Sequence, residues 1–290
     1  MIKLVLTDMD DTLIPAGASR VSDRAIGAIH AAQAAGVHVG PVSGRQPQSM
    51  EWMFPGHAEC FATGAFCNGQ VMIVDGEVVD TKPLDNAALM RLATFLEEET
   101  DDTFLKVYDL GEDLRGSSSY GVTADPGRME RAMGTGSNAW LHEEAPIRFA
   151  VDDVPHYKAN IWSTRTTEEL VLLRERMTEV APELEYVFPN NHARLFDILP
   201  AGWNKGCAVA VIARSLGVTL DEVAVFGDSD NDLPMIEAVP NSVAMGNANE
   251  RVRAAARWHI GDVADEAEAL ALEDIARAAR TGSMPRFMRG

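Results

Sequence analysis

Acidic residues follow two apolar segments that lie far apart in the chain. Asp8, Asp10 and Asp11 come directly after the apolar run 2–6, and the acidic stretch 228–232 follows a second apolar run. Carboxylates this close together repel one another and cannot all stay charged in a half-buried cleft without a metal ion, a lysine or an arginine. Mg²⁺ prefers oxygen ligands and leaves positions for water and a phosphate oxygen. The two groups therefore favour a metal site that handles a phosphoryl group.

Two carboxylates near a phosphoryl group can take separate roles in its displacement, one as nucleophile and one as acid/base. Asp8 suits the nucleophile, because its attack forms an aspartyl-phosphate and splits one difficult step into two easier ones. Asp10 can protonate the leaving alkoxide and then activate water. Lys205 begins an apolar-faced helix, whose positive end favours binding of the phosphate. A lysine in a first helical turn is usually solvated, so this role depends on the rest of the group.

Aspartate also caps turns and helices, so each carboxylate has an alternative structural role. We assign Asp11 and Asp230 to turns. We assign Asp8, Asp10 and Asp228 to the site, because acidic residues directly after two apolar strands exceed what capping requires.

The apolar pattern predicts the elements that hold these residues. The runs 2–6 and 223–227 are typical of buried strands. The segment 22–36 predicts a helix, with Ser22 as its N-cap and Gly36 at its end, and 37–39 a second strand. This order predicts a right-handed βαβ unit with parallel strands, whose carboxyl ends face one crevice. The predicted fold class is α/β, with a doubly wound, mostly parallel, Rossmann-like sheet.

The length of 290 residues suggests two domains, and the sequence changes character at about residue 82. We predict a core formed by residues 1–82 and 198–290, interrupted by a smaller α/β cap domain at 83–197. Within the insert, residues 109–150 have weak periodicity. Eight polar residues of the cap domain could face a leaving group, although each is more typical of a surface or strand position: His142, Arg148, His156, Lys158, Asn160, Asn190, His192 and Arg194.

A phosphate-binding turn is predicted after the second strand. Ser43, Gly44 and Arg45 offer a hydroxyl group, a backbone N–H group and a guanidinium group in succession. A Ser-Gly turn taken alone is more often only a turn. Further along, the pairs Asn68-Gly69 and Asp75-Gly76 lie between alternating apolar residues and predict hairpin turns within 61–79.

The order of four segments resembles the four motifs of the haloacid dehalogenase (HAD) superfamily, over nearly all of the core: 8–12, 43–45, 205–206 and 227–232. The segments 67–69 and 243–248, together with the insert between the second and third motifs, resemble the Cof-type subfamily with a C2 cap. An aspartate in the first motif position implies phosphatase chemistry rather than dehalogenation.

The resemblance implies particular roles for the acidic residues and the lysine. It makes Asp8 the nucleophile and a metal ligand, and Asp10 the acid/base with its backbone carbonyl group on Mg²⁺. Asp228 becomes the third protein ligand of the metal. Lys205 bridges the phosphate and Asp8.

The resemblance also implies roles for five further residues. Ser43 and the Gly44 amide hold the phosphate. Asn231 and Asp232 match the end of the fourth motif, where the role is to position the metal, directly or through water. Asn68 is a weaker candidate at the mouth between core and cap.

These features predict a magnesium-dependent phosphatase that acts on a small phosphorylated metabolite such as a sugar phosphate. A phosphomutase shares the first half-reaction, and release of inorganic phosphate without a bisphosphate activator separates the two. A phospho-accepting regulatory or binding module is a third interpretation. Receiver domains, however, lack an acid/base two residues past the acceptor and are not split by an insert of this size.

Composition limits the partners. Twenty-five basic and 44 acidic residues give a formal charge of −19, which disfavours binding to nucleic acid or anionic membranes. No apolar run approaches the roughly 18 residues of a membrane span. The three cysteines form no CxxC pair, which fits a reducing compartment. We expect a cytoplasmic monomer or homodimer.

Overall fold

The structure is a computed structural model that describes residues 1–15, 17–133, 146–189, 193 and 195–289. It divides into two compact units, which we call the core unit (Met1–Thr81 with Asn204–Gly290) and the insert unit (Lys82–Trp203). The predicted second boundary at 197/198 falls within the last strand of the insert unit, which ends at Pro200. Four of the polar insert residues named above lie outside the described residues: His142, Asn190, His192 and Arg194.

The core unit contains these strands: β1 (Leu4–Thr7), β2 (His38–Pro41), β3 (Gly64–Phe66), β4 (Val71–Val74), β5 (Glu77–Thr81), β12 (Val223–Gly227), β13 (Asn241–Ala244) and β14 (Trp258–His259). Its helices are α1 (Asp23–Gln33), α2 (Ser49–Met53), α6 (Lys205–Ser215), α7 (Leu233–Ala238), α8 (Glu250–Ala255) and α9 (Ala267–Thr281). The insert unit contributes the elements numbered between β5 and α6.

A parallel sheet forms the centre of the core unit, with the strand order β14-β13-β12-β1-β2. Every residue of β1 and β12 is buried, as expected for strands covered on both faces. Thr7, at the end of β1, is aligned with Phe226 on one side and Pro41 on the other. The residues that follow these three strands therefore emerge at the same edge of the sheet. The predicted α/β class with a mostly parallel sheet is confirmed.

A second, antiparallel sheet joins β3, β4 and β5. The segment Cys67–Gly69 connects β3 to β4, and Asp75 and Gly76 connect β4 to β5 with φ angles of 52° and 85°. Asn-Gly and Asp-Gly pairs favour such turns because these residues tolerate left-handed backbone. Both predicted hairpin turns are confirmed.

Side-chain caps fix the starts of two helices of the core unit. The Ser22 side chain accepts a hydrogen bond from the Ala25 amide, as predicted for the N-cap of α1. Asn204 caps α6 in the same way by accepting from the Cys207 amide, which makes Lys205 the first residue of that helix. In the described part of the chain, no helix combines the length and apolar character needed to cross a membrane.

The insert unit is a sheet with helices on it: α3 (Asn86–Glu99), β6 (Thr103–Asp109), β7 (Ser118–Val122), α4 (Pro126–Met133), β8 (Ile147–Arg148), β9 (Ala159–Ser163), α5 (Thr167–Val180), β10 (Leu184–Val187) and β11 (Leu195–Pro200). The strand order is β10-β11-β9-β6-β7-β8, antiparallel except for the β7-β8 pair. Apolar residues of α3 and α5 pack with one face of this sheet in a single buried cluster.

Candidate active site

A buried lysine lies between two aspartates at the carboxyl edge of the parallel sheet. Lys205 Nζ donates to Asp8 Oδ1 at 2.7 Å and to Asp232 Oδ1 at 2.5 Å, and the Lys205 residue is only 1% exposed. Burial by itself lowers the pKa of Lys205, but Asp232 and Asp8 outweigh it and raise that pKa above its ordinary value. The lysine is therefore a fixed positive charge between two loops that are remote in sequence.

Three buried carboxylates lie around this ammonium group, which contacts two of them directly. Oxygen atoms of Asp8, Asp228 and Asp232 lie within 4.8 Å of one another. Burial, reinforced by Asp232, raises the pKa of Asp8 well above its ordinary value and the pKa of Asp228 to about 7, although Lys205 opposes both shifts. With all three carboxylates ionised, the cluster would carry more negative charge than its lysine can balance, and the raised pKa values of Asp8 and Asp228 reflect that imbalance and their burial. An oxygen-only donor set with excess negative charge fits a hard divalent cation.

Asp232 holds both the lysine and the loop after β12. Its Oδ1 accepts from Lys205, and its Oδ2 accepts from the backbone amides of Asp228 and Ser229 at 3.0 and 3.1 Å. The Ser229 hydroxyl group donates to Asn231 Oδ1 at 2.7 Å, so Asn231 is held in the same turn. Asp232 therefore positions Asp228 and Lys205 together.

Asp10 lies in a bidentate pair with Arg45. Arg45 Nε donates to Asp10 Oδ2 at 2.8 Å, and Nη2 donates to Asp10 Oδ1 at 2.6 Å. Both side chains are partly exposed. Arg45 is predicted to contact a phosphate, whereas its guanidinium group lies on the Asp10 carboxylate.

The loop of Ser43 lies beside Asp8 because β2 pairs with β1. The Val42 amide donates to the Thr7 carbonyl at 2.7 Å, and the Ser43 amide donates to the Ala65 carbonyl at 2.9 Å. The Ser43 hydroxyl oxygen accepts from the Arg45 amide at 3.2 Å, so Gly44 lies inside a closed turn. This arrangement brings the Ser43 turn and the Asp8 turn to neighbouring strand ends.

The turn Cys67–Gly69 supports the Ser43 loop from behind. The amides of Asn68 and Cys67 donate to the carbonyl groups of Ser43 and Arg45, both at 2.9 Å. Asn68 is buried and has a left-handed φ of 56°. Gly69 has φ 93°, and a Cβ there would lie 2.8 Å from Ala208 Cβ on α6. The turn therefore packs between the Ser43 loop and the helix that carries Lys205.

Two polar residues without a predicted role, Thr12 and Asn247, hold the acidic loops. Thr12 Oγ1 donates to Asp228 Oδ1 at 2.9 Å and so links the loops after β1 and β12. Asn247 Nδ2 donates to the Asp11 carbonyl at 2.6 Å. A hydroxyl group at the end of an acidic loop was the only available signal for Thr12. Asp230 pairs with Arg251 and Asn249, which agrees with its assignment to a turn.

In the insert unit, Arg148 lies 4.1 Å from the centroid of the Tyr120 ring, and the other three described polar candidates lie in two places. Lys158 Nζ lies 3.3 Å from Asp197 Oδ1, and Asn160 donates to the same carboxylate. His156 is buried between Tyr120 and the Tyr108 carbonyl group, and burial lowers its pKa. A row of polar residues thus crosses β9 and β11, whereas His156 belongs to the interior.

Lys106 belongs to the same face of the insert sheet. It is not among the candidates predicted from the sequence. It is aligned with Asn160 on β9, and its ammonium group lies 5.1 Å from the Tyr108 ring centroid and 5.5 Å from that of Trp162. These distances allow cation–π contacts. A single lysine inside an apolar strand carries no signal that would distinguish it from a solvated one.

Fold and site together define a Rossmann-like α/β protein with an acidic, lysine-centred site at the carboxyl edge of its parallel sheet. The family model of the haloacid dehalogenase-like hydrolases matches residues 5–272. The chain belongs to that family, which confirms the resemblance drawn from the motifs.

Two curated relatives match shorter stretches. A provisionally named phosphatase from Haemophilus influenzae is 32% identical over 119 residues, which cover 39% of this chain and 45% of that protein. The HMP-PP phosphatase of Klebsiella pneumoniae is 45% identical over 58 residues, 20% of this chain and 21% of that enzyme. The chain therefore spans less than half of the length of either relative.

A solved structure shows the same fold over almost the whole chain. A protein from Bacteroides thetaiotaomicron, studied among the phosphatases of the HAD superfamily, aligns with a TM-score of 0.75. The alignment covers 95% of each chain at 21% identity.

Proposed function

We propose that this protein is a magnesium-dependent phosphatase that hydrolyses a small phosphorylated metabolite through an aspartyl-phosphate on Asp8. The observation that carries the proposal is the buried contact of Lys205 with Asp8 and Asp232, within a carboxylate cluster whose charge one lysine does not balance. A structural ion pair needs one carboxylate for each cation. This cluster has more, which favours a site built to hold a cation and an anionic group together.

The side chains of Asp8 and Asp228 and the backbone carbonyl group of Asp10 would hold the magnesium ion. When bound, the ion neutralises charge on the phosphoryl oxygens and on the carboxylates. Asp232 supports this set by fixing the amides of Asp228 and Ser229.

The proposed reaction uses the chain's own groups. A carboxylate oxygen of Asp8 attacks the phosphorus atom, and the bond from phosphorus to the ester oxygen breaks. Asp10 gives a proton to that leaving oxygen, then removes one from a water molecule whose attack frees Asp8. Lys205 keeps Asp8 oriented and offsets the charge of the phosphoryl group. The Ser43 hydroxyl group and the Gly44 amide hold the remaining phosphoryl oxygens.

The comparisons support the reaction class. One relative is named a phosphatase and another an HMP-PP phosphatase. We extend this reaction class to the present chain, with a small phosphorylated metabolite such as a sugar phosphate as substrate.

The test is phosphate release from a panel of phosphorylated metabolites in the presence of magnesium, comparing wild type with Asp8→Asn. We expect release by the wild type and loss of turnover in the variant. Asp23→Asn, at an exposed position in the first turn of α1, is the matched control and keeps wild-type turnover. Undiminished phosphate release by Asp8→Asn would rule out the proposed mechanism. Release without any bisphosphate activator separates a phosphatase from a phosphomutase.

A further inference from the structure

A group of thiol, imidazole and carboxylate side chains joins the last turn of α1 to the turn before β3. His30 Nε2 lies 2.8 Å from Glu59 Oε1 and 3.5 Å from Cys60 Sγ. Ligand atoms of these three residues all lie within 4.8 Å of one another. His57 flanks them, with its Nδ1 3.4 Å from Glu59 Oε1 and its ring centroid 5.2 Å from that of His30. The proposed phosphatase reaction uses none of these residues.

The group is placed apart from the acidic cluster by the topology of the βαβ unit. The helix α1 leads back from the carboxyl end of β1 to the start of β2, so its last turn, with His30, lies toward the amino edge of the parallel sheet. The carboxylates of Asp8 and Asp228 lie at the opposite, carboxyl edge. A ligand of the His30 group would therefore occupy a site of its own.

The donor atoms are those that zinc prefers. Zinc binds cysteine sulfur, histidine nitrogen and carboxylate oxygen, with bonds of about 2.0 to 2.3 Å in tetrahedral geometry. Such bonds place ligand atoms roughly 3.2 to 3.7 Å apart. The separation of His30 Nε2 from Cys60 Sγ, 3.5 Å, falls in this range. His30 Nε2 and Glu59 Oε1 are closer, at 2.8 Å, as a hydrogen-bonded pair, and would move apart slightly to share an ion. Magnesium, by contrast, favours oxygen ligands only.

The backbone holds the ligands in place without a metal. Cys60 is completely buried, whereas the side chains of His30 and Glu59 are 38% and 54% exposed, so the thiol lies beneath an open rim. Gln33 Nε2 donates to the Glu59 carbonyl at 2.8 Å and ties this turn to α1. The Cys60 amide donates to the His57 carbonyl at 3.0 Å. The site is therefore largely formed before an ion enters.

We propose that His30, Glu59 and Cys60 form a second metal site that takes a zinc-class divalent cation. The thiolate is the form of cysteine that ligates metals, so binding releases the Cys60 proton to solvent. The bound ion cross-links α1 to the 57–60 turn. The alternative is that His30 and Glu59 form only a hydrogen-bonded pair, which would not involve the Cys60 thiol. The experiment therefore measures metal ligation by the Cys60 sulfur.

The experiment starts from protein that has been stripped of metal and then saturated with magnesium. Cobalt is titrated into this protein, and absorption spectra follow its binding. Magnesium fills the carboxylate cluster if the proposed function is right, and cobalt bound there by oxygen alone produces no sulfur band in either case. We expect one equivalent of cobalt to give a near-ultraviolet thiolate-to-cobalt charge-transfer band and intense visible bands typical of tetrahedral cobalt. Zinc added afterwards should displace the cobalt and remove both.

Variants assign the ligands. We expect Cys60→Ser to lose the charge-transfer band and Cys207→Ser, the matched control on α6, to keep it. Glu59→Gln and His30→Gln change partly exposed side chains that tolerate substitution, and each should weaken cobalt binding about tenfold or more while the sulfur band remains. No sulfur band in the wild type, a band that survives in folded Cys60→Ser, or unchanged affinity in both glutamine variants would each overturn the proposal. None of these outcomes depends on phosphatase activity.

Discussion

Arg45 holds both carboxylate oxygens of Asp10 through two charged hydrogen bonds, at 2.8 Å from Nε and 2.6 Å from Nη2. This fork geometry orients the carboxylate as well as pairing its charge. The proposed acid/base is therefore fixed in direction by the loop that also carries Ser43. Arg45 therefore has two possible roles that an experiment can distinguish: it orients Asp10, or it contacts the phosphate.

We expect Arg45→Lys to lower kcat by about tenfold to a hundredfold, because a lysine cannot form both bonds and the Asp10 carboxylate loses its orientation. KM should change less than kcat. Steady-state phosphate release measures both constants. Arg24→Lys, which alters an exposed pair with Glu273, is the matched control. A raised KM with kcat unchanged would instead assign Arg45 to the phosphate.

The pairing of Arg45 with Asp10 is a contact that the sequence alone could not predict, unlike the strands, helix and turns. Continuous apolar runs, the Ser22 cap and the paired Gly turns are local signals, so β1, β12, α1 and the hairpins could be predicted. A guanidinium group after a strand can reach a phosphate or a carboxylate, and the choice depends on the distance between two loops. The link between Thr12 and Asp228 spans 216 positions and likewise has no local pattern.

Thr12 gives a test of that link. Its hydroxyl group donates to Asp228, a residue that is 3% exposed, so Thr12→Val leaves a buried carboxylate oxygen without that donor. We expect magnesium affinity to fall about tenfold, since such a bond contributes about 1.5 kcal/mol. The magnesium dependence of phosphate release measures it. Thr12→Ser keeps the hydroxyl group and should restore the affinity. Equal affinity in the valine and serine variants would show that the bond does not position Asp228.

The buried lysine should matter for stability as well as for turnover. Lys205→Met removes the cation between Asp8 and Asp232 and leaves buried carboxylates without compensation. We expect the free energy of unfolding of the metal-free protein to fall by about 3 kcal/mol, and turnover to be lost. Urea unfolding in the presence of a chelator measures the first effect. Lys3→Met, in an exposed pair with Glu222, should cost less than about 1 kcal/mol. Equal costs for the two variants would contradict the assignment.

Glu268 gives the fold a dependence on pH that is independent of the proposed reaction. It is the second residue of α9 and 2% exposed, and burial raises the pKa of its carboxyl group to about 8, against a partial opposing effect of Thr7. The unfolded chain loses this proton near the ordinary value of 4.5, whereas the folded protein keeps it until about pH 8. Stability from this group is therefore present below pH 4.5 and is lost as the pH rises toward 8, by up to about 1.4 kcal/mol per unit.

Glu268→Gln keeps the size of the side chain and removes the titration. We expect the free energy of unfolding of this variant, relative to wild type, to increase steadily between pH 5 and pH 8, by on the order of 3 kcal/mol in total. Urea unfolding at a series of pH values measures the difference, in which the contributions of other groups cancel. Glu273→Gln, an exposed position on the same helix, is the matched control for loss of one charge. A difference that stays constant across this range would mean that the carboxyl group is already ionised inside the folded protein.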